Sequence, residues 1–166
     1  IDGIPVLEGT TGMVDLGYLS LAGVEKIEVA HGPLSALYGA NALGGVVNII
    51  PELTGEPELL LNLSGGSYTS GRTGLQIKRE RWGLALGGNT TEGYRPHSSA
   101  NGASLSAQYN LVDEDDAYLK VYSGYRTRKA QIPGDNTPEP YLGNQEDQNF
   151  FFNLSGQKDL AGGYGE

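Results

Sequence analysis

The feature that most constrains this fold is a two-residue alternation of apolar and polar side chains along most of the chain. Between residues 103 and 111, for example, Ala, Leu, Ala, Tyr and Leu occupy every second position, with Ser, Gln and Asn between them. Successive side chains of a strand point to opposite faces, so this period gives each strand one apolar face and one polar face. The pattern predicts six strands, around residues 59–64, 75–78, 82–87, 103–111, 119–122 and 150–155.

The connections between these segments alternate in length. Residues 79–81 and 113–116 predict tight turns, whereas 65–72, 92–101 and 126–145 predict longer loops. Short turns at one end and longer loops at the other are typical of an outer-membrane β-barrel. A soluble β-sandwich produces the same alternation of side chains, so that pattern alone leaves both folds open. The polar face is rich in Ser, Asn, Gln and Gly and has few charges, which favours the barrel.

Composition excludes several functional classes. The 166 residues include no Cys, which rules out disulfides, thiolate metal sites and a Cys nucleophile. The formal net charge of −9 argues against a partner with a phosphate backbone, so no nucleic acid partner is expected. The longest apolar runs fall far short of the roughly 20 residues that a membrane-spanning helix requires. Gly is abundant, at 26 residues, which indicates tight turns and closely packed backbone.

The N-terminal region has a different pattern, with compact apolar runs broken by Gly. Residues 1–6 predict a short strand with a turn at Asp-Gly, and residues 24–29 and 46–50 predict two further strands. Ser35 is placed to cap a single helical turn that Gly39 ends. We therefore expect a small mixed α/β unit over residues 1–52 and a separate β region over residues 53–166.

Residues 24–50 read VEKIEVAHGPLSALYGANALGGVVNII and closely resemble the end of the plug domain of TonB-dependent outer-membrane receptors. The first five residues, IDGIP, are similar to the "DGVP" strand of that family. The strand and loop spacing of residues 58–158 is similar to the first barrel strands of these receptors, nearest to the vitamin B12 receptor type. The resemblance implies a mainly β fold. Residues 1–52 would form the C-terminal half of the plug domain, and residues 53–166 about six antiparallel strands of an incomplete transmembrane β-barrel.

The motif residues have packing roles that explain their identity. Gly32-Pro33 would turn the chain after the first long strand, and Tyr38 has the size to fill the gap between the helical turn and the sheet. Gly44 and Gly45 would allow close backbone approach before the next strand. We interpret the whole set as structural: Gly32, Pro33, Ser35, Tyr38, Gly39, Gly44, Gly45 and Asn48. One departure is His31, where the family usually has Arg, which weakens any expected ion pair with a barrel carboxylate.

The resemblance also implies where ligands would meet the chain. The loop after the "DGVP" strand touches bound substrate in these receptors, and here it includes Glu8, Thr10, Thr11, Gly12 and Met13. The alternative interpretation is an ordinary surface loop. The vitamin B12 type binds calcium through acidic extracellular loops, and the corresponding carboxylates here would be Asp135, Glu139 and Asp147. A solvated acidic face is the favoured interpretation of these residues, because they lack a recognisable ligand spacing.

The function that the resemblance implies is active uptake of a nutrient, such as cobalamin or an iron chelate, without enzymatic chemistry. The expected partners are the small nutrient, the lipid of the outer membrane in a Gram-negative-type bacterium, and the TonB energy-coupling protein. The box that binds TonB would lie upstream of Ile1, so we expect the sequence to be a fragment. One alternative is a β-rich structural or interaction fragment that transports nothing. Another is a small complete barrel enzyme, which would require residues 58–66 and 147–157 to pair with each other.

Overall fold

A computed structural model of the chain describes residues 1–3, 5, 20–114, 117–133 and 142–158. The N-terminal part contains two strands and one helical turn, and the rest contains six strands. In chain order the elements are β1 (Val24–His31), α1 (Ser35–Tyr38), β2 (Gly45–Pro51), β3 (Glu58–Gly66), β4 (Ser70–Lys78), β5 (Trp82–Thr91), β6 (Ala100–Glu114), β7 (Ala117–Ile132) and β8 (Gly143–Lys158).

The strands form two antiparallel sheets. β1 pairs with β2, and β3 to β8 form one six-stranded sheet in which each strand pairs with the next along the chain. The predicted six strands and the mainly β fold are therefore confirmed. β3 and β8 lie at opposite edges of the sheet and do not pair within the described ranges, so the closed small barrel is wrong. No helix in the described part of the chain has the length and apolarity needed to cross a membrane.

The large sheet has the two faces that the alternation predicts. Six large apolar side chains form a continuous row across all six strands on the outer face, one from each strand: Leu61, Leu75, Leu86, Leu105, Tyr125 and Phe150. All six except Leu75 are substantially exposed. The neighbouring row on the opposite face is mostly polar or small: Leu60, Gln76, Ala85, Ser106, Gly124 and Phe151. We call this second face, which contacts the N-terminal part of the chain, the inner face.

Two predicted loops are shorter than expected. A three-residue turn joins β3 to β4, and β7 and β8 extend well into the predicted loop at 126–145. Charged residues in this part of β7 and β8 form cross-strand pairs: Arg128 with Asp147 at 3.7 Å, and Lys129 with Glu146 at 3.2 Å. Opposite charges that face each other on adjacent strands stabilise a sheet, so both strands continue through this region.

The N-terminal part confirms one local prediction and departs from two others. Asp2 and Gly3 form the predicted turn, and Ile4 and Val6 of the predicted strand lie outside the described residues. Ser35 is the first helical residue and does not cap α1, since Leu34 occupies the cap position and the buried Ser35 hydroxyl has no hydrogen-bond partner among the described residues. Tyr38 is 56% exposed, so it does not fill the gap beside the sheet. A four-residue helix covers too little of the sheet to bury a side chain of that size.

The β1–β2 hairpin depends on Gly45. Its φ of 143° lies in a region that L side chains rarely adopt, and a Cβ there would lie 2.5 Å from the carbonyl oxygen of Ala30 on β1. Gly44 has open space where a Cβ would be and no such torsion. The two neighbouring glycines therefore meet different constraints, and only Gly45 is fixed by the hairpin.

We expect Gly45→Ala to destabilise the N-terminal region by about 1–3 kcal/mol, because it combines backbone strain with a clash against β1. Gly44→Ala is the matched control and should be within about 0.5 kcal/mol of the unaltered protein. Limited proteolysis of the native protein in detergent, followed over time at fixed protease concentration, measures the difference. Equal cleavage rates for the two variants would contradict the role of Gly45.

Candidate functional site

The segment that joins the two sheets is the most deeply buried part of the described structure. Leu53 is 0% exposed and packs against Ala85 of β5 in a small apolar cluster that includes Tyr122 of β7. Its carbonyl oxygen lies so close to Gly83 that a Cβ at that position would overlap it. Because Gly83 has no side chain, the connecting backbone lies directly on the inner face.

Two glutamines of the inner face hold the backbone on either side of this cluster. The Oε1 atom of Gln76 on β4 accepts the N–H of Gly23 at 3.2 Å, and that of Gln108 on β6 accepts the N–H of Leu53 at 3.2 Å. The two side chains are 9% and 3% exposed. Buried amides need partners, since leaving one unpaired costs about 1–3 kcal/mol. We call Gln76 and Gln108, with the two N–H groups they accept, the glutamine clamp.

A hydrogen-bond network surrounds Gln108. Its Nε2 donates to Thr54 Oγ1 at 2.9 Å and to Glu52 Oε1 at 3.0 Å. Asn110, two residues further along β6, also donates to Thr54 Oγ1, at 3.1 Å. The network joins the N-terminal part to β6 through polar side chains, whereas Leu53 makes the apolar contact.

A second attachment involves the turn at the start of the chain. The Asp2 carboxylate lies 3.5 Å from Nζ of Lys120 on β7 and accepts a hydrogen bond from Asn153 of β8 at 3.0 Å. The Asp2 N–H donates to the carbonyl oxygen of Ile49 on β2 at 2.9 Å. Asp2 therefore contacts the hairpin on one side and the large sheet on the other.

A polar cavity of about 430 Å³ lies beside these attachments, toward the other end of the strands. Residues 20–22 border it on one side, and the inner faces of β3 to β6 border it on the other. Its polar lining side chains are those of Ser20, Asn62, Ser64, Arg72, Asn89 and Ser104. Gly87 provides part of the space, because a Cβ there would overlap the hydroxyl of Ser20. Amides, hydroxyls and one guanidinium suit a hydrated polar ligand.

The predicted ligand loop lies outside the described residues. Glu8, Thr10, Thr11, Gly12 and Met13 therefore remain predictions as ligand-contacting residues. Of the structural motif residues, Asn48 accepts the Gly3 N–H at 3.4 Å. His31 forms no ion pair with a carboxylate in the described part of the chain.

The predicted calcium ligands are only partly described. Asp135 and Glu139 lie outside the described residues, and Asp147 is on β8. Arg128 partly neutralises the Asp147 carboxylate, which also accepts a hydrogen bond from Gln145 at 2.9 Å. Over residues 1–3, 5, 20–114, 117–133 and 142–158, no three His, Asp or Glu side chains converge in a way that could hold a metal ion. A calcium site remains a prediction.

Sequence reasoning missed the residues that attach the two parts of the chain. Gln76, Gln108, Lys120 and Asn153 are ordinary polar positions in the alternation, and their partners lie 53 to 151 residues away. The only local signal was that each occupies the face opposite the apolar row. No spacing rule connects such distant positions, because only the folded sheet brings them together.

The sequence of the N-terminal part matches that of known proteins. Residues 1–46, which include the Asp2 turn, β1 and α1, match the profile of the TonB-dependent Receptor Plug Domain family. Over these residues the chain is similar to the plug domain of TonB-dependent receptors, and we call them the plug segment. The match ends inside β2, so the glutamine clamp lies partly within the plug segment, at Gly23, and partly beyond it, at Leu53.

One curated relative extends this assignment. The chain is 40% identical over 68 residues to the vitamin B12 transporter BtuB of the bacterium Photobacterium profundum. The aligned part is 40% of this chain and 11% of that transporter, so the chain spans about a tenth of the relative that it matches. The chain is thus related to the TonB-dependent receptors, near the vitamin B12 receptor type, a family of receptors and transporters and not of enzymes.

The clamp yields a stability prediction. Gln108→Leu keeps the side-chain size but leaves the Leu53 N–H without an acceptor, and we expect it to lower the free energy of unfolding by about 1–3 kcal/mol. The matched control is Gln148→Leu, because Gln148 is exposed on β8 away from the plug segment. Denaturant unfolding of the native protein in detergent gives both values. Coincident midpoints for the two variants would show that the clamp adds nothing to stability.

Proposed function

We propose that this chain is part of an outer-membrane receptor that actively takes up a nutrient such as cobalamin, an iron chelate or a similar compound. Residues 1–52 supply the C-terminal half of the plug domain, and residues 53–166 supply the first strands of the barrel. The receptor binds and translocates its ligand without covalent chemistry. The TonB energy-coupling protein supplies the work by acting on the plug domain of the receptor.

The main observation in support of this proposal is that the six-stranded sheet has one apolar face and one polar face, with the plug segment attached to the polar face. The apolar row on the outer face suits lipid, which cannot satisfy polar groups. The inner face buries amides against the plug segment and leaves a polar cavity beside Ser20. Apolar residues outside and polar residues inside are what a membrane barrel requires, and the opposite of a soluble domain's arrangement.

Transport is tested with the native protein in its own membrane. We expect cells that depend on it to accumulate radiolabelled cyanocobalamin or a ferric chelate, with uptake falling at least tenfold when the energy-coupling protein is deleted. Cells lacking the receptor provide the background. Ligand uptake that is unchanged without the coupling protein, or no uptake of any cobalamin, iron chelate or sugar tested, would contradict the proposal.

The membrane orientation is tested by placing a charge in the apolar row. Leu86→Arg puts a guanidinium in the middle of β5 on the outer face, and we expect it to cost about 2–4 kcal/mol of folding free energy in lipid vesicles. Leu63→Arg, nearer the end of β3, should cost about 0–1 kcal/mol, because the penalty falls toward the interface. Equal and small costs at both positions would mean that this face does not contact lipid.

A further inference from the structure

The turn between β4 and β5 places three charged side chains around one open pocket. Arg79, Glu80, Arg81 and Trp82, together with Pro57 before β3, line this pocket, which has a volume of about 320 Å³. The three charged side chains are exposed. The pocket therefore offers two cations and one carboxylate beside an aromatic ring. We call Arg79, Glu80, Arg81 and Trp82 the turn pocket.

Backbone hydrogen bonds hold this turn in place. The N–H of Arg79 donates to the carbonyl oxygen of Trp82 at 2.9 Å, so these two residues lie opposite each other across the turn. The carbonyl oxygen of Arg81 accepts the N–H of Asn110 on β6 at 2.8 Å. Nη1 of Arg79 donates to the carbonyl oxygen of Lys78 at 2.7 Å. A surface that is fixed before binding loses less conformational entropy when a ligand arrives.

The charges of the turn pocket are not neutralised by the described part of the chain. Within those residues, Arg79, Glu80 and Arg81 form no ion pair with one another or with any other side chain. A guanidinium has several N–H donors, so the bond to Lys78 leaves most donors of Arg79 available. The pocket can therefore bind a group that carries both a negative and a positive charge.

An exposed apolar strip of the outer face begins at this pocket. Trp82 pairs in register with Tyr109 of β6, and their side chains are 42% and 47% exposed. Every second residue of β5 faces the same way, so Leu84 and Leu86, both exposed, continue the strip toward the middle of the sheet. Charged turn residues alone usually indicate only solvation. A charged pocket next to an apolar strip, however, complements a phospholipid, which joins a charged headgroup to apolar chains.

We propose that the turn pocket binds the headgroup of a phospholipid that ends in a primary ammonium. Arg79 and Arg81 hold the phosphate through charge-assisted hydrogen bonds, and Glu80 accepts hydrogen bonds from the ammonium. An acyl chain lies over Trp82 and Leu84. This inference rests on the proposed function, because the strip faces lipid only in a membrane barrel. The short turns of such a barrel lie at its periplasmic end, so the lipid belongs to the periplasmic leaflet.

The carboxylate of Glu80 decides which class of phospholipid fits. A headgroup with a phosphate and only hydroxyl groups adds a second negative charge beside this carboxylate. A trimethylated ammonium has the positive charge but no N–H to donate. A primary ammonium neutralises Glu80 and also donates to it. We therefore expect phosphatidylethanolamine to bind more tightly than phosphatidylglycerol or phosphatidylcholine.

Lipid selectivity is measured from Trp82 fluorescence in the native protein, reconstituted into phosphatidylcholine vesicles. A minor fraction of phosphatidylethanolamine or phosphatidylglycerol carries brominated chains, which quench a nearby indole, and Trp82→Phe gives the signal of any other tryptophan. We expect phosphatidylethanolamine to be enriched beside Trp82 at least threefold over its bulk fraction. R79Q/R81Q should abolish this enrichment. The control K26Q/K78Q removes the same charge from β1 and from the inner face of β4, and should preserve the enrichment.

Glu80→Gln separates headgroup recognition from general attraction by charge. We expect it to reduce the enrichment of phosphatidylethanolamine at least threefold and to raise that of phosphatidylglycerol, because the repulsion of a second anion is removed. Attraction by charge alone predicts no loss for phosphatidylethanolamine. That result, or unchanged enrichment in R79Q/R81Q, would overturn the lipid site and leave the proposed function standing. If brominated lipids of every class fail to quench Trp82, this face does not contact lipid, and the proposed function fails with the lipid site.

Discussion

The burial of backbone amides between the plug segment and the large sheet is the constraint on which the rest of this structure depends. A backbone N–H that is removed from water needs an acceptor, and at Gly23 and Leu53 the acceptor is a glutamine side chain from a strand far along the sequence. Gln76 and Gln108 are nearly buried in consequence. The inner face therefore has to be polar at these positions, and the opposite face is then left to carry the apolar side chains.

Close backbone approach is the second condition for this attachment. The Leu53 carbonyl lies directly on Gly83, and Ser20 lies on Gly87, at positions where any side chain would overlap the plug segment. The abundance of glycine in the chain thus has a specific use on the inner face. The apolar part of the contact is small and centred on Leu53. Hydrogen bonds and the Asp2–Lys120 pair supply much of the remaining contact between the plug segment and the sheet. When such a contact breaks, water can replace the lost partner, so the net free-energy cost is modest.

This balance suits the transport that we propose. A plug packed by a large apolar interface would resist displacement, whereas one held by polar contacts can be moved in parts. A polar cavity beside Ser20 already interrupts the contact between the plug segment and β3 to β6. Leu53 and the glutamine clamp lie at the opposite end of the same strands, where they hold the connection between the two parts of the chain.

The sequence by itself determined the six strands, their two faces and the plug motif, because alternation and glycine spacing are local properties that require no knowledge of distant residues. It was wrong where local signals conflict with pairing. Residues 126–132 were predicted as part of a loop but belong to β7, where Arg128 pairs with Asp147, and Ser35 suggested a cap but begins the helix. Only the tertiary structure decided which polar residues hold the plug segment. Gln108 and Leu53 are 55 residues apart, and their hydrogen bond exists only because the sheet brings β6 against the connecting segment.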